Sequence, residues 1–179
     1  MSLDATTLIE DVQAVLSITP ERWQRLVSTF PLDLLTRAPV AGEWSALNCL
    51  QHLLDAEHLL FPVRLHAFLV GQDLDAFDPQ QQHTDQASSQ TPEQLVAAFA
   101  GYRQESLVLL KQVKHDNLEL TARHPRLGIV TLAEMLHTWA AHDLMHTVQA
   151  ERALMQPFIL GCGSFRIFFQ DHDSGVTKE

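Results

Sequence analysis

The sequence has few basic residues, few cysteines and no long apolar run. Twelve Lys and Arg stand against twenty-two Asp and Glu, which gives a formal net charge of -10 at pH 7. A chain with this charge repels phosphate backbones and anionic lipid surfaces. We therefore expect neither nucleic acid nor a membrane among its partners.

The chain also lacks the features of secreted and membrane proteins. Its two cysteines, Cys49 and Cys162, are too few for a disulfide framework. The longest apolar run, LLFPVRLHAFLV, is interrupted by Pro62, Arg64 and His66 and is too short to cross a bilayer. The acidic N-terminus does not have the basic and apolar regions of a signal peptide. We therefore expect a cytoplasmic protein.

What the chain does contain is apolar residues at helical spacing. Of its 179 residues 46% are hydrophobic, which is enough for one sizeable core, and we expect a single domain over residues 1–179. Four long amphipathic segments follow one another, and no convincing β-hairpin pattern is present. The sequence therefore predicts an all-α four-helix bundle.

Capping residues and prolines predict the helix boundaries. The four predicted helices span 4–29, 45–70, a segment beginning at Thr91, and a segment from Thr131 to about Met155. Thr91 and Thr131 each begin a capping box, and Thr19-Pro20 makes the first segment either one helix or a bent pair. The polar segment 71–90 is long enough to return along a helix, which allows helices 2 and 3 to be parallel in up-down-down-up order. We expect the apolar tail after Pro157 to pack back onto the bundle.

Two histidines lie four residues apart in the last helix, within the segment HDLMHTVQ. His142 and His146 belong to a stripe of inward positions that also contains Trp139 and Gln149. At this spacing both imidazoles lie on one helix face and can reach one ion. Asp143 lies about 100° round the helix from His142, so we do not expect it to be a ligand.

A third imidazole is available from helix 2. His52 replaces an apolar residue on the inward stripe of that helix. If helices 2 and 4 are antiparallel, His52 and His146 differ in depth by only roughly 3 Å. Three inward histidines at one level predict a metal site with an open coordination position, as in catalytic zinc sites. Core histidines without a metal are the alternative.

The neighbouring acids are open to more than one interpretation. Asp55, one turn after His52, is either an acceptor that orients an imidazole or a surface acid. Glu57 and Arg64 are expected to form an ion pair. A zinc protease is disfavoured, because Asp143 is shorter than the Glu that activates water in the His-Glu-x-x-His motif.

Two long stretches resemble the DinB-like superfamily of metal-binding four-helix bundles, which includes the YfiT-like proteins. The first is GEWSALNCLQHLLDAEHLLFPVRL, with Trp44-Ser45 at a helix start and His52 about seven residues later. The second is TLAEMLHTWAAHDLMHTVQAERAL, with His142, His146 and Gln149. The resemblance extends over most of the chain. It implies an up-down-down-up bundle, one zinc or nickel ion on the three histidines, and frequent homodimers.

The resemblance also implies a class of activity. Characterised members include S-transferases that use bacillithiol or mycothiol, and a mycothiol-dependent maleylpyruvate isomerase. The leading hypothesis is therefore a metal-dependent S-transferase that activates a low-molecular-weight thiol for attack on a small molecule, with Asp55 and Gln149 orienting the ligands. One alternative is a hydrolase with a metal-bound hydroxide in place of the thiolate. Another is a non-catalytic, stress-associated bundle that binds a metal.

Overall fold

The computed structural model describes residues 7–76 and 90–175. These residues form six α-helices, two 3-10 helices and one β-hairpin. The α-helices are α1 (Leu8–Thr29), α2 (Leu32–Leu35), α3 (Ala46–Leu59), α4 (Phe61–Val70), α5 (Pro92–Leu110) and α6 (Leu132–Gly161). The 3-10 helices are His115–Glu119 and Gly163–Phe169, and the strands are β1 (Thr121–His124) and β2 (Gly128–Thr131).

Four long helical units form the predicted bundle: α1, α3 with α4, α5, and α6. Both α1 and α3 pack against α5 and against α6. One apolar cluster contains the beginning of α1, α4, the end of α5 and the beginning of α6, and a second cluster contains the opposite ends. Helices α1 and α6 therefore run in one direction, and α3, α4 and α5 run in the other. This confirms the up-down-down-up order.

The connection between the two parallel units is the predicted segment 71–90. Its first residues extend from the end of α4, where Gly71 has φ 69° and ends the helix after Val70, the last residue of the predicted range. Residues 77–89 of this connection, and residues 4–6 of the predicted first helix, lie outside the described residues. In the described part of the chain, no helix is long and apolar enough to span a bilayer.

Capping boxes begin three of the long helices. Ser45, Thr91 and Thr131 each accept a hydrogen bond from the backbone N–H three residues later, and the side chain at that position bonds back to the backbone of the capping residue. These bonds satisfy backbone donors that have no partner within the helix. The three helix starts were predicted, because the capping pattern can be recognised in the sequence.

Two prolines lie within helices that continue past them. Helix α1 contains Pro20 and extends to Thr29, so the first segment is one helix and not a bent pair of helices. Helix α6 contains Pro157 and extends to Gly161, beyond the predicted end at about Met155. A proline removes one backbone hydrogen bond. The apolar face continues after it to Ile159, which is 2% exposed, and this burial favours the longer helix.

The second predicted helix is divided at Leu60 into α3 and α4. Pro62 lies in the first turn of α4. Proline is tolerated there because the first backbone N–H groups of a helix have no partner in that helix. Because α3 ends at Leu59, His52 lies near the middle of that helix, opposite α6.

A β-hairpin precedes α6, although none was predicted. Its strands pair antiparallel, with Thr121 opposite Thr131 and His124 opposite Gly128. Each strand has four residues and only Ala122 is buried, so no alternating apolar pattern marks them. Gly128 has φ 80°, a conformation that favours glycine and allows the chain to turn.

The described part of the tail is bound to α6 mainly by polar contacts. The side chain of Gln156 donates a hydrogen bond to the carbonyl of His172 and accepts one from the backbone N–H of Ser174. Apolar burial is smaller than expected, because Phe165, Ile167 and Phe168 are each more than 60% exposed. The tail therefore returns to the bundle, but these three apolar side chains do not join the core.

Candidate metal centre

Three histidines meet between α3 and α6. His52, His142 and His146 each offer one ring nitrogen, and these atoms lie within 4.8 Å of one another. The Nε2 atoms of His52 and His142 are 3.0 Å apart. Imidazole nitrogens bound tetrahedrally at 2.0–2.1 Å to one zinc ion are about 3.3 Å apart, so small ring rotations suffice for a shared cation. The expected match in depth between α3 and α6 is found.

The local electrostatics favour neutral imidazoles. Burial lowers the pKa of His142 to about 3, and the nearby His146, His52 and Arg103 lower it as well. Burial also lowers the pKa of His146, although the hydrogen bond to Gln149 acts in the opposite direction. Neutral rings keep a lone pair for a cation, so protons do not compete strongly with a metal at neutral pH. The donor set therefore fits a divalent ion such as zinc.

Gln149 is positioned to orient His146. Its Oε1 lies 2.9 Å from Nδ1 of His146. With the amide oxygen as acceptor, Nδ1 carries the ring proton and Nε2 keeps the lone pair that a metal needs. The orienting role of Gln149 stays a prediction. By contrast, Nδ1 of His142 is buried and has no hydrogen-bond partner within the described residues.

Aromatic rings enclose the three histidines. The ring of Trp44, just before α3, stacks on His146 with centroids 5.6 Å apart and is tilted against His52 at 4.9 Å. Phe61 meets His142 edge-on at 5.1 Å. Packing of this kind restricts the imidazole rotamers and limits the access of water.

Asp55 and Cys49 each lie three residues from His52 in the sequence and differ in their surroundings. Asp55 is half-buried, and its carboxylate accepts a hydrogen bond from Nε2 of Gln51 at 2.9 Å. Its action on an imidazole stays a prediction. Cys49 is fully buried in an apolar cluster, and burial raises the pKa of its thiol to about 12. It is therefore a core residue and not a nucleophile.

A buried ion cluster next to the histidines was not predicted. Arg103 of α5 donates hydrogen bonds to Asp143 at 2.6 and 3.0 Å, to Glu57 at 2.7 Å and to the carbonyl of Leu16 at 2.8 Å. The three charged side chains are at most 2% exposed. Trp139 adds a hydrogen bond from its Nε1 to Glu57. The cluster joins α1, α3, α5 and α6 at one level of the bundle.

The prediction of an ion pair between Glu57 and Arg64 was wrong. Glu57 binds Arg103, whereas Nη2 of Arg64 lies 3.1 Å from Nε2 of His124. A signal for the inward position of Arg103 was present in the sequence. Arg103 follows Phe99 by four residues, so it occupies the apolar face of α5 and is directed into the core.

A surface groove lies beside the histidines, and we call it the α6 groove. Its volume is about 670 Å³, and its walls include Trp44, Leu144, Met145, Val148, Gln149 and Arg152. None of the three histidines lines it, but Trp44 and Gln149 contact both the groove and His146. Ser174 also lines the groove, so the tail after Pro157 forms part of its wall.

Comparisons with known proteins agree with this arrangement of helices. Residues 16–150 match the family model of the DinB superfamily. The chain belongs to the DinB superfamily. Within the described residues, the three histidines of this DinB-superfamily chain form the one group of three or more His, Cys, Asp or Glu whose ligand atoms are close enough to hold a metal ion.

A solved structure similar to this chain is that of YfiT from Bacillus subtilis. It is described as a "probable metal-dependent hydrolase with an unusual four-helix bundle topology". The TM-score is 0.73 and the sequence identity is 17%, over 84% of this chain and 87% of the YfiT chain. At this identity the similarity shows a shared fold. No curated protein matches the sequence significantly.

Proposed function

We propose that the protein is a metal-dependent enzyme in which His52, His142 and His146 hold one zinc or nickel ion. The observation that carries this proposal is the convergence of three ring nitrogens within 4.8 Å between α3 and α6. Three neutral imidazoles are a ligand set of catalytic zinc sites, in which a further coordination position stays open. A metal in such a site lowers the pKa of a bound water or thiol and so supplies a nucleophile at neutral pH.

We infer further that the nucleophile is a low-molecular-weight thiol and that the reaction is S-transfer to a small electrophile. Glu57 and Asp143 are the buried acids closest to the histidines in sequence, and both are bound to Arg103. Neither is available as a general base for water, whereas a deprotonated thiol needs no base. Cys49 is buried, and Cys162 lies at the end of α6, sixteen residues or about 24 Å beyond His146, so the reacting thiol must come from solution. Its sulfur forms a bond to the electrophilic carbon, and the leaving group departs with the electron pair.

A hydrolase that uses the same three histidines is the second candidate. The similarity to YfiT favours it, because YfiT is described as a probable metal-dependent hydrolase. A non-catalytic bundle with a closed metal site is less well supported. His142 is only half-buried, and the α6 groove is lined by Trp44 and Gln149, which contact His146, so a small molecule in the groove lies close to the cluster.

Metal content tests the proposed site. Parent protein purified without chelators and supplied with zinc or nickel is expected to hold about one equivalent per chain, because the three imidazoles form one site. The variants His52→Ala and His142→Ala remove one ligand from α3 and one from α6, and their metal content is expected to fall to background. The measurement is elemental analysis after gel filtration.

His58→Ala is the matched control, since His58 is an exposed histidine of α3 whose ring stacks on Tyr102. This variant should keep its metal. Background metal in the parent, or equal metal in all four proteins, would contradict the proposed site.

Activity measurements then separate the candidate reactions. Metal-loaded parent is expected to consume a thiol together with 1-chloro-2,4-dinitrobenzene, and to release no nitrophenol from a nitrophenyl ester. The reverse result would establish the hydrolase. A protein that is loaded with metal and inactive in both assays would support the non-catalytic bundle.

We also propose that the protein forms a homodimer through the surface around the end of α6. Phe158, Leu160, Phe165, Ile167 and Phe168 are each at least 60% exposed. Exposed apolar clusters mark interaction surfaces, and aromatic residues are enriched in the centre of interfaces.

Light scattering is expected to give the dimer mass for the parent and the monomer mass for Phe165→Glu. Leu127→Glu, an equally exposed residue in the hairpin, should stay dimeric. A monomeric parent would exclude this interface.

A further inference from the structure

The α6 groove contains a cation, Arg152, that forms no ion pair with a described acid. None of the ion pairs between described side chains involves Arg152. Its Nη2 donates a hydrogen bond to the main-chain carbonyl of Asp171 at 3.3 Å, a contact that fixes the guanidinium without cancelling its charge. In a chain of net charge -10, an arginine in a groove that is not engaged in an ion pair is a local site for an anion.

Much of the groove wall is apolar. Leu144, Met145 and Val148 are 42%, 55% and 52% exposed, and Trp44 lies beside them in the wall. A ligand with an apolar body and one anionic group matches both features of the groove. A carboxylate is suited to the guanidinium, because the two can form parallel charge-assisted hydrogen bonds.

Helix α6 also determines the distance from this cation to the histidines. Arg152 follows His146 by six residues, which is a rise of about 9 Å along the helix. Gln149 lies midway between them, where it lines the groove and contacts His146. The groove therefore extends from the neighbourhood of the histidines to Arg152.

We propose that Arg152 determines substrate specificity by binding the carboxylate of a small amphipathic molecule whose reacting end lies at the histidines. This assignment names the substrate class of the proposed metal-dependent enzyme and rests on that function. Glu43 lines the same groove and repels a second negative charge, so a monocarboxylate is favoured over a dicarboxylate.

Fluorescence of Trp44 can follow binding in the groove. The other two tryptophans, Trp23 and Trp139, are 0% exposed, so a ligand added from solution acts mainly on Trp44. The probes are hexanoate, hexanol and hexylamine, which share an apolar chain and differ in charge. The parent is expected to bind hexanoate at concentrations about tenfold lower than hexanol or hexylamine, owing to the charge-assisted bonds to Arg152.

Arg152→Gln is expected to lose this preference for hexanoate, and Arg152→Lys to keep part of it. Arg126→Gln is the matched control, since Arg126 is an exposed arginine of the hairpin that has no acid partner among the described ion pairs and does not line the groove. Each protein is titrated in metal-loaded form and after treatment with a chelator.

The outcomes distinguish this inference from the proposed function. The role of Arg152 is supported if Arg152→Gln loses the preference for hexanoate, both with metal and after chelation, while Arg126→Gln keeps it. An unchanged preference in Arg152→Gln that disappears on chelation means that the carboxylate binds the metal, which overturns the inference and supports the metal site. Equal binding of the three probes to the parent also overturns it. If the chain binds no metal and Arg152→Gln still loses the preference, the carboxylate site stands and the metal-dependent function fails.

Discussion

Replacement of Arg103 by methionine is expected to lower the free energy of unfolding by about 3–5 kcal/mol, the range for removing one partner of a buried ion cluster. Methionine keeps most of the length of the side chain but removes the charge that Glu57 and Asp143 share. Two carboxylates then stay buried without a cation, and the carbonyl of Leu16 loses its donor. Urea unfolding at pH 7, followed by circular dichroism, measures the loss.

Arg22→Met is the matched control for this experiment. Arg22 forms a 2.8 Å ion pair with Glu151, but their side chains are 38% and 43% exposed. Such a pair contributes at most about 1 kcal/mol. Equal losses in the two variants would show that the Arg103 cluster does not stabilise the bundle as a buried network.

The pH dependence of Arg103→Met provides a second check. Burial raises the pKa of Asp143, and Arg103 opposes this by its charge and hydrogen bonds. With Arg103 present the pKa of Asp143 is already raised above its ordinary value, and without Arg103 it rises further above that in the unfolded state. An acid shifted in this direction destabilises the fold at high pH, and the destabilisation decreases as the pH falls towards the unfolded pKa. The variant should therefore regain part of its stability between pH 7 and pH 5, relative to the parent.

Much of the fold could be predicted because it depends on local chemistry. Thr91 and Thr131 begin capping boxes whose partners lie three residues away in the sequence, so these helix starts needed no tertiary information. The order of the helices depended on the length of segment 71–90, which is a simple geometric limit. The hairpin was not predicted, since two four-residue strands with one buried side chain have no apolar period.

The candidate site shows the same division between local and tertiary information. His142 and His146 share one face of α6 by helical spacing alone, and His52 joins them because α3 and α6 are antiparallel. The Arg103 cluster joins residues from four helical units, and a single sequence does not show which inward charges meet. The expected pair of Glu57 and Arg64 was unfavourable even for the continuous helix that was predicted, because seven residues along such a helix rise about 10.5 Å.

The α6 groove was beyond sequence reasoning for a related reason. Its lining comes from the segment before α3, from α6 and from the tail. Arg152 stands out only when it is known that it forms no ion pair with a described acid. A residue's role in a groove depends on its neighbours in space, and these are set by packing and not by periodicity.

Zinc is expected to raise the stability of the parent protein and to leave that of His146→Gln unchanged. A ligand that binds only the folded state stabilises it by about 2.7 kcal/mol at 100 times its dissociation constant, and by about 4.1 kcal/mol at 1,000 times. The three ring nitrogens converge only in the folded chain, because they come from α3 and α6. The free energy of unfolding is measured at several free zinc concentrations, and again after a chelator has removed the zinc. The difference is the stabilisation by zinc.

Gln149→Leu tests how much the contact between Gln149 and His146 contributes to the stabilisation by zinc. Loss of the acceptor for Nδ1 is expected to weaken metal binding about 10- to 100-fold. At equal free zinc, the stabilisation should then fall by about 1.4–2.7 kcal/mol, while the metal-free protein changes less. His58→Gln should behave like the parent. If zinc stabilised the parent and His146→Gln equally, the ion would be bound by other histidines. The convergence of His52, His142 and His146 would then be a feature of core packing, and the proposed enzyme would have no metal centre.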